Sequence, residues 1–224
     1  MKNKASDKLI YKIQNEKFTI HVNNGVNNIL LKKIENLKSD NKIFFVYDSN
    51  IDNKIILNLI KFLKKTGNII LTKRLKGNKS NKNKNQLFEI IDKLIKEKFT
   101  KKSILISMGG GVIGDLSALA ASLYLRGLIY FHIPTTMTSI VDSCIGGKTG
   151  INYNNVINSV GNYYHAKGIF IDYQIIKNLP QREYTAGLAE ILKCCIINSG
   201  MDLNFLIKNK NNIIQRDISI LKKL

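Results

Sequence analysis

Short apolar runs alternate along this chain with stretches in which apolar residues recur every three or four positions. Residues 9–13 and 18–22, on either side of Asn15 and Glu16, are rich in β-formers and predict a hairpin or strand pair. From residue 41 onward, strands are expected at residues 43–47, 69–71, 104–107, 129–133 and 169–171. Helices are expected within residues 53–65, 86–98 and 114–123. Strands that are apolar at successive positions are buried on both faces, so the expected architecture is α/β, a mostly parallel sheet covered by helices on each side.

The pattern changes after Pro180, where no further strand is expected. Residues 181–197 are apolar at Leu188, Ile191, Leu192 and Cys195, a helical spacing, and residues 203–206 and 213–224 predict shorter helical pieces. The expected organisation is an α/β domain over residues 1–179, then the opening helices of an α-helical domain over residues 180–224. Such helices leave apolar faces uncovered in water, so the chain is expected to be cut short. Residues 73–85, mostly lysine and asparagine, predict a solvated surface connection.

Composition narrows the class. An apolar fraction of 44 % across 224 residues is ample for a folded core. No run of about 18 apolar residues is present to span a bilayer. The first twelve residues lack both an apolar stretch and arginine, which predicts neither a secretory signal nor a transit peptide and makes the cytoplasm the expected location. The formal charge of +19 suggests nucleic acid at first sight. However, the cations are spread along the chain, and Arg74, Arg126, Arg182 and Arg216 are its only arginines. Arginine is the side chain whose planar fork suits phosphates and base edges, so no nucleic-acid partner is expected. Cys144, Cys194 and Cys195 are odd in number and predict reduced thiols. His21, His132 and His165 are too dispersed to predict a metal site.

The chemistry lies in four motifs. Gly109-Gly110-Gly111-Val112-Ile113-Gly114 follows an expected strand and opens an expected helix, where bare backbone can approach a pyrophosphate and the helix N-terminus supplies N–H donors. A tight strand-to-helix turn with no ligand accounts for the same glycines. Asp115 follows directly, rather than the ribose-binding acid that a Rossmann fingerprint places about 20 residues on. Next come Pro134-Thr135-Thr136, the block Asp142 to Lys148, and Gly187-Leu188-Ala189-Glu190-Ile191-Leu192-Lys193. Each has a plainer reading: Thr135 and Thr136 as helix caps, Arg126 as a partner of a helix dipole, Lys148 as a loop lysine, and Glu190 as a solvent-facing carboxylate. Glu190 and Cys194, four apart, share a helix face and could hold a metal together.

In this order and spacing, with Tyr124-Leu125-Arg126-Gly127 and Leu179-Pro180-Gln181-Arg182-Glu183, the motifs resemble those of the 3-dehydroquinate synthases over most of the chain. The resemblance implies a Rossmann-like NAD-binding domain followed by an α-helical metal domain. It implies NAD contacts at Asp48, Asn50, Lys82, Gly111, Val112, Ile113, Gly114, Asp115, Thr135, Thr136 and Asn178. It further implies substrate or catalytic positions at Lys148, Arg126, Asp142 and Lys193, and a zinc or cobalt ligand at Glu190. In the family, NAD transiently oxidises C5 of 3-deoxy-D-arabino-heptulosonate 7-phosphate, phosphate leaves, the hydride returns and the ring recloses as 3-dehydroquinate. A homodimer is implied by the same resemblance. The two histidines that complete the family's metal site are absent before Leu224, so the expectation includes a separate C-terminal chain, or a non-catalytic NAD-binding remnant. Another sugar phosphate cyclase is the remaining alternative. Two departures stand out: Gly77-Asn78 where the family usually has Gly-Glu, and Ile157-Asn158 where it usually has Lys-Asn.

Overall fold

The computed structural model describes residues 7–13, 16–197 and 203–223. The connection at Asn15, the first six residues and Leu224 lie outside them. Seven strands form one sheet: β1 (Asp7–Ile13), β2 (Glu16–Asn23), β3 (Lys42–Asp48), β4 (Ile69–Leu75), β5 (Ile104–Gly109), β6 (Ile129–Pro134) and β9 (Gly168–Asp172). Their order is β1-β2-β9-β6-β5-β3-β4, and only the β1–β2 pair is antiparallel. The remaining strands, β7 (Lys148–Tyr153) and β8 (Val156–Tyr163), form a separate antiparallel hairpin.

The alternation of side chains along β3 shows why the sheet is covered twice. Ile43 and Phe45 point to the side of α1 (Asn27–Glu35) and α2 (Asn53–Lys64), while Phe44 and Val46 point to that of α3 (Lys84–Lys96) and α4 (Gly111–Leu123). Each covering helix presents a narrow apolar stripe, Ile56, Leu59 and Leu63 on α2 and Leu87, Ile90 and Leu94 on α3. Asp52 and Asn83 cap these two helices, accepting the N–H groups of Lys54 and Gln86. In α4, residues 116–122 are all buried, as befits a helix enclosed between the sheet, α3 and the β7–β8 hairpin.

Three parts of the sequence reading are corrected. Residues 73–85 are not one solvated loop: β4 runs on to Leu75, a 3-10 turn occupies Lys79–Asn81, and α3 starts at Lys84. Lys73 is buried and pairs with Glu89 at 2.5 Å, so its charge is matched by a helix rather than by water. The helix expected from residue 114 starts three residues earlier, at Gly111. Finally, α1, the β7–β8 hairpin and a π-helical turn at Ser139–Ser143 are elements that the sequence reading did not expect, although Val26, Leu30 and Ile34 recur every four residues and form the buried face of α1.

Beyond β9 come α5 (Tyr173–Lys177), α6 (Gln181–Ile197), α7 (Leu203–Lys208), α8 (Lys210–Ile214) and α9 (Ile218–Leu221). They join the sheet's own core through Tyr184, Ile191 and Cys195. Fully buried Tyr184 donates to the carbonyl of Ile213 at 2.6 Å, and Arg216 stacks on its ring at 4.6 Å. Ile196, Ile197 and Ile207 remain mostly exposed, as expected of helices with uncovered apolar faces. The three cysteines are free thiols, and burial pushes Cys144 up to about 12. No helix among the described residues is long and apolar enough to cross a membrane.

His21 on β2 is buried, stacks on Phe170 with centroids 5.1 Å apart, and has no hydrogen-bond partner at either ring nitrogen. Burial, then Lys33 and Lys8, hold its pKa below the ordinary 6.5. A base with a lowered folded pKa binds fewer protons folded than unfolded, so its contribution is intact above 6.5 and is lost as pH falls below it. Urea unfolding should therefore show stability dropping from pH 7.5 to pH 5, by up to about 1.4 kcal/mol per pH unit from this group. His21→Phe should flatten that drop; an equally steep drop in the variant would rule His21 out as a source.

Candidate active site around a glycine turn

Chain direction reverses between β3 and β5: after β3 the chain passes outward to β4 at the sheet edge, then returns to the other side of β3 as β5. The carboxyl ends of two such strands leave a crevice in which α/β proteins bind ligands. Here those ends are Asp48 and Gly109. Gly110 then serves as N-cap of α4 with extended backbone (φ −78°, ψ −171°) and no side-chain cap. The first intrahelical bond runs from Gly114 N–H to Gly110 O at 3.0 Å, which leaves the N–H groups of Gly111, Val112 and Ile113 as end-of-helix donors.

On one side of this turn lies a cleft of about 630 Å³, lined in part by Asp48, Asn50, Gly77, Thr135, Thr136 and Asn178. Asp48 is buried and accepts the N–H groups of Asn50 at 3.0 Å and Gly77 at 3.3 Å, so one carboxylate fixes the ends of two loops. Thr135 N–H donates to Gly109 O at 2.9 Å, tying β6 to the glycine turn. Thr136 acts as a cap, its Oγ1 accepting Ser139 N–H at 3.2 Å. Five of the residues expected at NAD thus line one cleft, and residues 111–114 form the turn beside it.

On the other side is a second cleft of about 760 Å³, bordered by Asp115, Asp142, Lys148, Asn158, Asn162 and Tyr163 among others. Lys82 is placed on this side: its Nζ forms an ion pair with Asp115 and donates to Asn158 Oδ1 at 2.5 Å. Burial raises the pKa of Asp115, the Lys82 ammonium opposes that rise, and Asp142 adds to it. A closed circuit holds Lys82 there. Asn152 N–H donates to Lys82 O at 2.8 Å, Asn158 N–H donates to Asn152 Oδ1 at 3.0 Å, and Lys82 Nζ returns to the Asn158 side chain. Asn158 takes a left-handed φ of +54° to fit, a conformation that asparagine tolerates better than most residues. Ile157 beside it is 73 % exposed.

Glu190 and Lys193 pair with each other on α6, which packs against the π-helical turn carrying Asp142. The hydrogen bond that Lys193 donates to Glu190 is the main cause of the raised Lys193 pKa, and Asp142 contributes to it. Cys194 lines an apolar groove with Met137, Ile140 and Ile191. Among the described residues no three His, Cys, Asp or Glu side chains gather as a metal site requires, so these residues alone do not fit zinc or cobalt. Arg126 lies in neither cleft. It follows α4 in a left-handed turn (φ +62°), about 20 Å along the helix from the glycine turn.

Sequence reasoning missed Asn152, Asn162 and Tyr163, all on the β7–β8 hairpin. A signal was available. Asn154 and Asn155, with φ +47° and +63°, form the two-residue loop between paired Tyr153 and Val156, and asparagine is favoured at such positions.

Residues 72–186 match the family model described as 3-dehydroquinate synthase N-terminal. A 3-dehydroquinate synthase of Ruminiclostridium cellulolyticum is 35 % identical over 193 residues, 86 % of this chain and 54 % of that protein. One from Prochlorococcus marinus strain MIT 9515 is 34 % identical over 222 residues, 97 % of this chain and 61 % of its own length. The chain therefore spans about half the length of the curated relatives it matches, or somewhat more. Among solved structures, 2-epi-5-epi-valiolone synthase from Streptomyces hygroscopicus subsp. jinggangensis, with NAD+ and Zn2+ bound, superposes with a TM-score of 0.82 at 24 % identity, covering 96 % of this chain and 61 % of that one. A 2-deoxy-scyllo-inosose synthase complexed with carbaglucose-6-phosphate, NAD+ and Co2+ gives 0.80 at 21 %, with the same coverage. At those identities the structures establish a shared fold, and the sequence matches establish more: this chain belongs to the 3-dehydroquinate synthase family.

Proposed function

We propose that the chain supplies the nucleotide- and substrate-binding part of a 3-dehydroquinate synthase, a cytoplasmic enzyme of the shikimate route. It would convert 3-deoxy-D-arabino-heptulosonate 7-phosphate to 3-dehydroquinate and phosphate. The observation that carries this reading is the pair of clefts flanking one glycine turn, whose Gly110 packs against Thr136 of the first cleft and whose Gly111 packs against Ser143 of the second; a nucleotide would occupy the first and an anionic substrate the second.

NAD fits the first cleft. The uncapped donors of Gly111, Val112 and Ile113 suit a pyrophosphate, and Asp48 with Asn50, Thr135, Thr136 and Asn178 lines the space beside them. When bound, NAD supplies a reversible hydride acceptor. The chain's own contribution is placement and charge. Lys148 faces the second cleft as the cation for the substrate's anionic groups, and Asp142 lies opposite the Glu190–Lys193 pair. Lys82 neutralises Asp115, so the carboxylate between the clefts does not repel an entering anion. The boundary near residue 179 divides these binding residues from the helices that bear Glu190 and Lys193.

A divalent metal, zinc or cobalt, belongs to this reading as a group that Glu190 would help to hold with ligands from a further segment or a separate C-terminal chain. A homodimer is part of the proposal too, supported by the exposed Leu9 and Ile10 on edge strand β1. A second reading, nucleotide binding without turnover, is favoured by the lack of a three-ligand cluster among the described residues.

Calorimetric titration with NAD tests the proposal. The wild-type chain should bind, and Asp48→Ala, which frees the loops at Asn50 and Gly77, should weaken binding roughly 10- to 100-fold, the loss expected for hydrogen bonds to a charged group. A folded wild-type chain that binds no NAD would overturn both readings. Phosphate release from the heptulosonate phosphate, with metal and a supplied C-terminal portion, separates the enzyme from the non-catalytic reading.

A further inference from the structure

One buried imidazole, packed against the last glycine of the motif, has no part in the function described so far. His132, in the middle of β6, is hydrogen-bonded at both nitrogens: Nδ1 is 2.7 Å from Ser107 Oγ and Nε2 is 3.4 Å from Ser139 Oγ. Ser107 Oγ is in turn 2.7 Å from the Tyr130 hydroxyl, which is 3.2 Å from the carbonyl oxygen of Gly114. All four side chains are buried.

Counting hydrogens fixes the direction of every bond. A carbonyl can only accept, so Tyr130 gives its one hydroxyl hydrogen to Gly114. The Tyr130 oxygen then accepts from Ser107, whose single hydrogen is thereby used. Ser107 must accept from the imidazole, so Nδ1 carries a hydrogen. Burial holds His132 at about 4, so the ring is neutral at pH 7 and has one N–H. Nε2 is therefore the acceptor and Ser139 the donor. The row runs one way, from Ser139 through His132, Ser107 and Tyr130 to Gly114, with every polar side-chain hydrogen in it used.

The two ends matter. Gly114 closes the first turn of α4, the turn whose N–H groups are left as end-of-helix donors, and Ser139 opens the π-helical turn that carries Asp142. The ring also lies directly against Gly114, where a Cβ would come within 3.1 Å of Cε1 and Nε2. His132 thus gives the last glycine of the motif a packing reason of its own. We propose that His132, as the Nδ1–H tautomer, is a positioning residue that sets the nucleotide turn and the Asp142 turn relative to each other. The structural part of this stands on the hydrogen-bond row alone; its consequence for binding rests on the function proposed above.

Amide hydrogen exchange on the intact chain tests it, read at Gly114 and Asp115 and at residues 139–143. His132→Phe keeps a ring but leaves Ser107 and Ser139 without their partner. Exchange should rise at least about tenfold in both segments, with the central strands unchanged. His132→Gln offers one N–H to Ser107 and one carbonyl to Ser139, and should return both segments to within about threefold of wild type. Ser139→Ala cuts only the outer link and should raise exchange in residues 139–143 alone, an arm that remains informative if His132→Phe does not fold. NAD affinity should weaken about tenfold in His132→Phe and recover in His132→Gln. Wild-type exchange in His132→Phe, a rise spread evenly over the sheet, or failure of His132→Gln to rescue would each overturn the inference. If the wild-type chain binds no NAD, the nucleotide reading falls and the exchange results still decide the role of His132.

Discussion

Lys82→Met is expected to lower stability by about 3 kcal/mol at pH 7, because it leaves a largely buried carboxylate without its cation. Both partners are mostly covered, the Lys82 side chain 12 % and the Asp115 side chain 18 % exposed, so water can replace little of the lost attraction. The loss should depend on pH in a definite direction. Burial already raises the Asp115 pKa above 3.8, and removing Lys82 takes away what opposes that rise. A carboxyl with a raised folded pKa binds more protons folded than unfolded, so its penalty is absent below 3.8 and grows as pH rises through the folded value. Urea denaturation of Lys82→Met should therefore show a smaller deficit at pH 5 than at pH 7. The double variant with Asp115→Asn should recover part of the deficit at pH 7. Equal deficits at both pH values would mean that the ion pair contributes no charge-dependent stability and that Lys82 acts only through the Asn152–Asn158 circuit.

Gly187→Val should have the other large effect, again near 3 kcal/mol, and for a reason unrelated to charge. A Cβ at Gly187 would lie 2.2 Å from Met137 Cγ, 2.3 Å from Met137 Cβ and 2.7 Å from the Met137 carbonyl carbon. Backbone is among those atoms, so a change of rotamer cannot relieve the clash and α6 must lift away. Glycine costs a helix interior about 1 kcal/mol relative to alanine, and valine regains less than half of that, far short of the clash. The urea midpoint should fall with an unchanged slope. Unchanged stability would show that α6 can shift freely, and Glu190 and Lys193 would then have no fixed relation to Asp142.

The fold was legible where burial imposes a period. Leu87, Ile90 and Leu94 repeat at helical spacing because one face of α3 meets the core, and Ile43 to Val46 are continuously apolar because helices cover both sides of the sheet. It was illegible where burial imposes none. All eight residues of β8 are exposed, so its sequence shows no alternation and only the asparagines of its turn mark it. Lys73 read as loop because its neighbours are polar; the carboxylate that allows its burial is sixteen residues away on another element. The glycine turn, Asp48 and the threonine pair were legible as motifs. The Lys82 circuit and the His132 row join residues far apart in sequence through side-chain hydrogen bonds, and no local pattern encodes those.

The pairing of β2 with β9 has a consequence for how the protein is made. Thr19 donates to the carbonyl of Lys167 across 148 residues, and Ile20 to Asn23 pair with Ile169 to Asp172. At about 5–20 residues per second, the first hairpin leaves the ribosome roughly 7–30 s before the strand it docks on exists. During that interval β3, β4, β5 and β6 can assemble as the chain grows, while the β1–β2 hairpin, which carries Phe18 and Ile20 of the later core, waits in solvent. Sheet closure is thus the late and slow event of biosynthesis, and until it occurs the hairpin's unpaired edge is open to a neighbouring nascent chain.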